Sequence, residues 1–416
     1  MWKLTKVAAV AAALAAAVAA HAGEVEVLHY WTSGGEAKSA AELKKMMQAK
    51  GHTWRDFAVA GGGGDSAMTV LKSRVISGNP PSAAQVKGPA IQEWASEGVL
   101  GNMDALAKSE KWDEALPKVV ADVMKYKGNY VAAPVNVHRV NWIWASSDAL
   151  KKAGVAAMPK TWDEFFAAAD KLKAAGLIPV AHGGQNWQDF TTFESVVLGV
   201  GGPKFYQDAL VKLDDKALTS DTMKKSLETF RRIKTYTDPG APGRDWNLAT
   251  AMLIQGKAGF QLMGDWAKGE FIAAGKAPGK DFMCAAAPGT SNAFTFNVDS
   301  FILFKLKDDA AQKAQSDLAS AIMSPGFQEV FNLNKGSIPV RAGQSMDKFD
   351  DCAKASAKDF ADTAKSGGLV PSVAHGMAIA PATEGAIKDA VSQFWNDDKV
   401  SVADAMKKIA TAAKTK

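Results

Sequence analysis

Val25 to Trp31 reads VEVLHYW, Ala37 to Lys50 reads AKSAAELKKMMQAK, and Thr53 to Val59 reads TWRDFAV. The first and third segments are rich in β-branched and aromatic residues, and the second carries Ala, Leu, Lys and Met at helical spacing. The alternation continues with Gly61 to Gly64 and Asp65, a helix-like SAMTVLKSRVISG from Ser66 to Gly78, a short strand at Ala84 to Val86, and a helix from about Pro89 to Glu97. Strand and helix alternating at this spacing predict βαβ units and a parallel sheet, an α/β fold.

Further along, Val131 to Val137 (VAAPVNV) and Ala293 to Phe304 (AFTFNVDSFILF) are extended passages flanking a long, mainly helical block. Thr161-Trp162-Asp163-Glu164 has the capping-box form and opens a helix to about Ala175, because threonine and glutamate satisfy free N–H groups of the first turn. Helical patterns from Thr191 to Thr237 stop at Pro239-Gly240-Ala241-Pro242-Gly243, and a final helix opens at Ser401. A chain that leaves one α/β lobe, builds a second and returns would place two hinge strands between them, with a cleft at the junction.

The 416 residues suffice for two or three domains, and 47% hydrophobic with 22% charged residues excludes disordered and fibrous classes. The formal charge of +5 is spread over lysine and arginine pairs with acids nearby, which argues against a nucleic-acid footprint. Met1 to Ala22 has two lysines, an Ala/Val/Leu run and Ala20-His21-Ala22 before Gly23, the form of a cleaved secretory signal peptide over residues 1–22. No cysteine stands at the end of that run, so lipid anchoring is not expected. The two cysteines, Cys284 and Cys352, either form one disulfide in an oxidising compartment or remain two buried thiols.

Chemistry is sparse. Gly61 to Gly64 lacks the Gly-Lys-Ser/Thr ending of a phosphate loop and reads as a flexible turn before a helix capped by Asp65. The histidines show no HExxH pairing and there is no Gly-x-Ser-x-Gly elbow, so neither a local zinc site nor a serine hydrolase is indicated. No metal or cofactor is expected. Tyr30 to Glu36 (YWTSGGE), at the carboxyl end of the first strand, combines an aromatic face, hydroxyls and a carboxylate, which suits a sugar; core packing of Trp31 and a helix-dipole role for Glu36 explain it as well. Twelve tryptophans are present, and Trp31, Trp142, Trp144, Trp187 and Trp266 fall near expected lobe edges, where an aromatic-lined cleft would lie.

Several runs, in order, carry a resemblance. Lys127 to Val135 (KGNYVAAPV), Trp144, Ala153-Gly154, Met158 to Phe165 (MPKTWDEF), Gln255 to Phe260 (QGKAGF) and Met263 to Trp266 (MGDW) resemble the family-1 extracellular solute-binding proteins of ABC importers. That family normally has alanine and methionine where this chain has Gly259 and Phe260. YWTSGGE, Gln85 to Pro89 (QVKGP), Phe296 to Phe301 (FNVDSF), Asn334 to Arg341 (NKGSIPVR) and Ser372 to Ala378 (SVAHGMA) look most like the periplasmic glucose/mannose-type members.

The resemblance implies a two-lobed, type II, maltose-binding-protein-like fold with hinge strands. One lobe would span 23–133 plus about 300–350, the other about 138–292 plus about 351–416. It implies a periplasmic monomer that binds one monosaccharide, glucose or mannose, and delivers it to an inner-membrane ABC permease, with no catalysis and no cofactor. Trp31 and Trp266 would stack on the sugar, Glu36 and Asp299 accept from its hydroxyls, Lys87 and Lys335 donate, and His375 bond from the other lobe. Tyr30, Asn297 and Asp265 are further candidates. An exported carbohydrate-active enzyme and a sugar binder serving mainly chemotaxis are the alternatives.

Overall fold

The computed structural model describes residues 22–415. But for Ala22, the expected signal peptide lies outside the described residues. Ten strands are numbered here in chain order: β1 (Glu24–His29), β2 (Thr53–Ala58), β3 (Ala83–Gln85), β4 (Ala132–Arg139), β5 (Trp142–Ser146), β6 (Ile178–Val180), β7 (Ala258–Leu262), β8 (Phe282–Ala286), β9 (Phe294–Leu303) and β10 (Leu369–Pro371). A separate two-residue ribbon pairs Lys125–Tyr126 with Asn129–Tyr130.

The first sheet runs β10-β9-β3-β1-β2, with β4 also paired to β9. β1 lies parallel to both β2 and β3, as the alternating helices require, since parallel neighbours need a crossover. The second sheet runs β8-β5-β7-β6. Between them, β4 and β9 pair antiparallel from Ala132↔Ile302 to Arg139↔Phe296, both fully buried, and these are the two long strands at the junction. Pro134, opposite Ser300, sits where the register shifts between Asp299 and Ser300. A proline has no N–H for the ladder, so a bulge is where a central strand can take one.

Each sheet has its own core. Val25, Val27, Leu28, Phe301, Phe327 and Phe331 belong to the first, and Phe165, Phe190, Phe193, Phe230 and Phe394 to the second. Trp142, Trp144, Phe271 and Phe282 form a smaller cluster on the second sheet. The C-terminal segment divides between lobes. Ala353 and Phe360 of helix Asp351–Ser366 pack in the first core, where the sequence reading puts this segment with the second lobe. Ile387, Phe394 and Ile409, from helices Pro381–Asn396 and Val402–Ala412, pack in the second.

Cys284 on β8 and Cys352 form a disulfide with their Cα atoms 6.2 Å apart. It joins the second sheet to the helix that leans on the first. Among the described residues no helix is long and apolar enough to cross a membrane.

The local signals for helix ends hold. Thr161 Oγ1 accepts from the Glu164 amide at 3.2 Å while Glu164 Oε2 accepts from the Thr161 amide at 3.2 Å. The expected Asp65 cap is displaced by one residue: Gly64 is the N-cap, with φ 114°, and Asp65 is the first helical residue. A left-handed backbone at that point excludes a side chain far more strongly than a missing cap hydrogen bond would disfavour glycine.

Candidate functional site

A cleft of about 400 Å³ opens where the lobes meet. The loop after β1 supplies Tyr30, Trp31, Thr32 and Ser33, and the helix that follows (Gly34–Ala49) supplies Glu36. Lys87 comes from the loop after β3, Asn297 and Asp299 from β9, His138 from β4, and Lys335 from the last turn of helix Pro325–Lys335. The second lobe contributes Gln185, Trp187, Asp245, Trp246, Asn247, Trp266 and His375. The β1 and β3 contributions leave from the carboxyl ends of their strands, the expected place for a ligand in an open α/β sheet.

Nine of the ten expected site residues line this cleft: Tyr30, Trp31, Glu36, Lys87, Trp266, Asn297, Asp299, Lys335 and His375. Asp265 does not. It is buried behind His138, where one carboxylate oxygen pairs with His138 Nδ1 and the other accepts from the Arg139 amide at 2.9 Å. Trp142 and Trp144 are also off the cleft. Trp144 is fully buried and donates its indole N–H to the Met263 carbonyl at 2.8 Å.

At the centre, His138 Nε2 contacts Asp299 Oδ2 at 3.0 Å, so the imidazole is clasped between two carboxylates. Burial alone would lower the His138 pKa, but Asp265 and then Asp299 outweigh it and raise it. Burial likewise pushes Asp299 up, and the charge and hydrogen bond of His138, then Lys87 and Lys335, overcome this and hold the carboxyl well below its ordinary range. Asp299 therefore stays an acceptor while lining the cleft.

Lys87 makes no ion pair or hydrogen bond among the described residues, and its Nζ lies 5.6 Å from the Tyr30 ring centre. Desolvation lowers its pKa, and the charge of Asp299 is the first influence to oppose this. Lys335 is already engaged: its Nζ donates to Glu36 Oε1 at 2.6 Å, and Glu36 Oε2 accepts from the Ser33 amide at 3.4 Å. That pair ties two helices of the first lobe together and leaves further protons and lone pairs for a ligand. Asn297 Oδ1 is buried with no hydrogen-bond partner among the described residues, an acceptor in want of a donor.

Aromatic faces surround these groups. Trp31 is held by Phe331 and Phe301, with ring centres 5.1 and 5.5 Å away. Trp266 lies 4.8 Å from His375 and 5.2 Å from His138, both edge-on. The glycine run is part of the wall. A Cβ on Gly63 would fall 3.0 Å from the Trp187 ring and one on Gly64 2.9 Å from the Tyr30 ring, so glycine lets the loop lie flat on both. The lobes touch beside the cleft, where the Gly35 amide donates to Glu270 Oε1 at 2.8 Å and a Cβ on Gly35 would sit 2.7 Å from the Gly269 carbonyl carbon.

His138, Gln185, Asp245, Trp246 and Asn247 are site residues that the sequence reading does not assign, while Trp187, read from sequence as near a lobe edge, lines the cleft. For Asp245 to Asn247 no local pattern marks the cleft. Among the described residues no cluster of three or more His, Cys, Asp or Glu could hold a metal ion.

The chain is 48% identical over 420 residues, covering 99% of both chains, to a probable sugar-binding periplasmic protein of Brucella suis. It is 49% identical over 399 residues, 96% of each, to a protein of the same description from Rhizobium meliloti. Among solved structures, a maltose-bound T. maritima MalE3 superposes with a TM-score of 0.74 at 18% identity, covering 94% of this chain and 99% of that one, which shows the two-lobed maltose-binding-protein-like α/β fold. Residues 31–316 match the family described as bacterial extracellular solute-binding protein, and the chain belongs to that family.

Proposed function

We propose that this chain is the periplasmic sugar-binding component of an ABC importer. It takes a single monosaccharide, glucose or mannose, between its lobes and presents it to a membrane permease. The observation that carries the reading is the chemistry of the cleft: indole faces of Trp31, Trp187, Trp246 and Trp266 set around Asp299, Lys87, Asn297, Glu36, Lys335 and His375. A sugar has an apolar C–H face and a girdle of hydroxyls that both donate and accept. Aromatic plates with an ionised acceptor, and with an ammonium and an amide oxygen that have no partner among the described residues, match both features. The relatives described as sugar-binding periplasmic proteins support the ligand class and the compartment.

The lobes would exchange between open and closed states, and a sugar touching both would favour the closed one. A hexose of about 12 heavy atoms bound at micromolar strength, about −8 kcal/mol, requires about −0.7 kcal/mol per atom, within the range for small ligands. Titration calorimetry of the purified mature chain with glucose, mannose, galactose and maltose tests this. One-to-one binding of glucose or mannose is expected. Preference for maltose would overturn the monosaccharide reading, and release of a chemically altered sugar would replace binding by catalysis.

A further inference from the structure

His375 reaches the cleft from a loop, and the long helix beginning at Asn186 holds that loop with one of its faces. Trp187, Thr191 and Glu194 stand at i, i+4 and i+7, the spacing of a single helix face. Trp187 meets the imidazole edge-on at 5.8 Å. Glu194, fully buried, gathers the loop: it accepts from Ser372 Oγ at 2.6 Å and from the Val373 and Ala374 amides at 2.9 and 3.1 Å, and Tyr206 donates to it at 2.8 Å. No cation pairs with this carboxylate among the described residues, so its partners are the loop and the tyrosine.

Thr191 acts on the ring itself. Its Oγ1 donates to the Trp187 carbonyl at 2.8 Å and lies 3.0 Å from His375 Nε2. A hydroxyl has one proton, and here the helix carbonyl takes it, so toward the imidazole the threonine accepts. Nε2 then carries the proton. Burial, followed by the charges of Lys87, His138 and Lys388, pushes the His375 pKa well below 6.5, so the ring is neutral and its other nitrogen is a lone pair.

We propose that Thr191 and Glu194 are positioning residues that fix His375 as its Nε2–H tautomer, so that the imidazole offers the cleft a bare Nδ1 acceptor for a ligand hydroxyl. The part of this that concerns a hydroxyl rests on the sugar-binding reading above; the tautomer does not. With Lys87 lining the same cleft as a donor, the site would distinguish ligands by a hydroxyl able to donate to His375. An analogue lacking that hydroxyl, or bearing a methyl ether there, would leave a buried acceptor unpaired.

Long-range 1H–15N correlation spectra of the 15N-histidine-labelled mature chain, without sugar, read the tautomer directly, with His375 assigned by its loss in His375→Asn. A pyrrole-type Nε2 and a pyridine-type Nδ1 are expected. Thr191→Ser should keep that pattern, and Thr191→Val should convert it to a mixture of tautomers and weaken glucose binding by about tenfold, as for a lost buried hydrogen bond. Glu194→Gln should retain the wild-type spectrum and Glu194→Ala should broaden it; the Thr191 series decides the matter if Glu194→Ala does not fold. A protonated Nδ1 in the wild type, or an unchanged spectrum in Thr191→Val, would overturn the proposal. Should the expected spectra appear in a protein that binds no hexose, the tautomer lock stands and only the sugar reading falls.

Discussion

Lys87 and Asp299 both line the cleft, yet replacing them should have different consequences. Lys87 pairs with no carboxylate among the described residues, so Lys87→Ala is expected to weaken hexose binding at least tenfold by calorimetry while leaving the melting temperature nearly unchanged, in keeping with about 1.5–3 kcal/mol for a hydrogen bond to a charged group. Asp299 is one arm of the buried clasp on His138. Asp299→Ala should weaken binding and also destabilise the fold by about 3 kcal/mol, because breaking a buried pair strands its partner. Glu194 gives a pH test. Burial, against its four hydrogen bonds, pushes its pKa up to about 7. A carboxyl raised in the folded state contributes its stability below about pH 4.5 and loses it as pH rises to about 7, a span equivalent to about 3 kcal/mol. Glu194→Gln is therefore expected to flatten the dependence of chemical-denaturation stability on pH between 5 and 7; an unchanged slope would show that Glu194 titrates normally.

Among elements, the glycine loop at 61–64 and the disulfide carry separate predictions. Gly64→Ala places a Cβ against the Tyr30 ring at a residue with φ 114°. It is expected to cost about 1–2 kcal/mol of stability and to weaken sugar binding, whereas Gly78→Ala, at φ 74° with open space around it, should change stability alone. Reducing Cys284–Cys352, which closes a sequence separation of 68 residues, should lower stability by up to about 4 kcal/mol and the melting temperature with it, leaving glucose affinity intact. The sequence shows why some elements could be read and others could not. β1, β2 and the helices after them announce themselves through local periodicity and capping, as Thr161 and Glu164 do. β5, β6 and β7 are three to five residues long and mostly buried on both faces, and the five residues of β8 are nearly all half-buried, so none shows an alternation to distinguish it from helix. The glycine run reads as a flexible turn because its partners, Tyr30 and Trp187, lie far away in sequence. Site residues that sit within runs shared with the family were found through that resemblance, whereas composition alone left Trp31 and Glu36 open to core and helix-end roles.

For the whole molecule, two strands at the junction, a contact between Gly35 and Gly269–Glu270 of the helix Ala267–Ala273, and a cleft lined from both sides describe two lobes joined around one cleft. Charged and aromatic groups from opposite lobes face one cleft, which is where a ligand would shift the balance between open and closed states. Saturating sugar at about 100 times its dissociation constant is expected to add about 2.7 kcal/mol to stability, seen as a higher melting temperature. The central claim, that the lobes close on one intact monosaccharide, is tested most directly by titrating the purified mature chain with glucose and mannose while following tryptophan fluorescence and the radius of gyration by solution scattering. Saturable binding at one-to-one stoichiometry, a fall in radius and recovery of unchanged sugar are the expected result. No spectral or dimensional response to any hexose, or recovery of a different sugar, would contradict it.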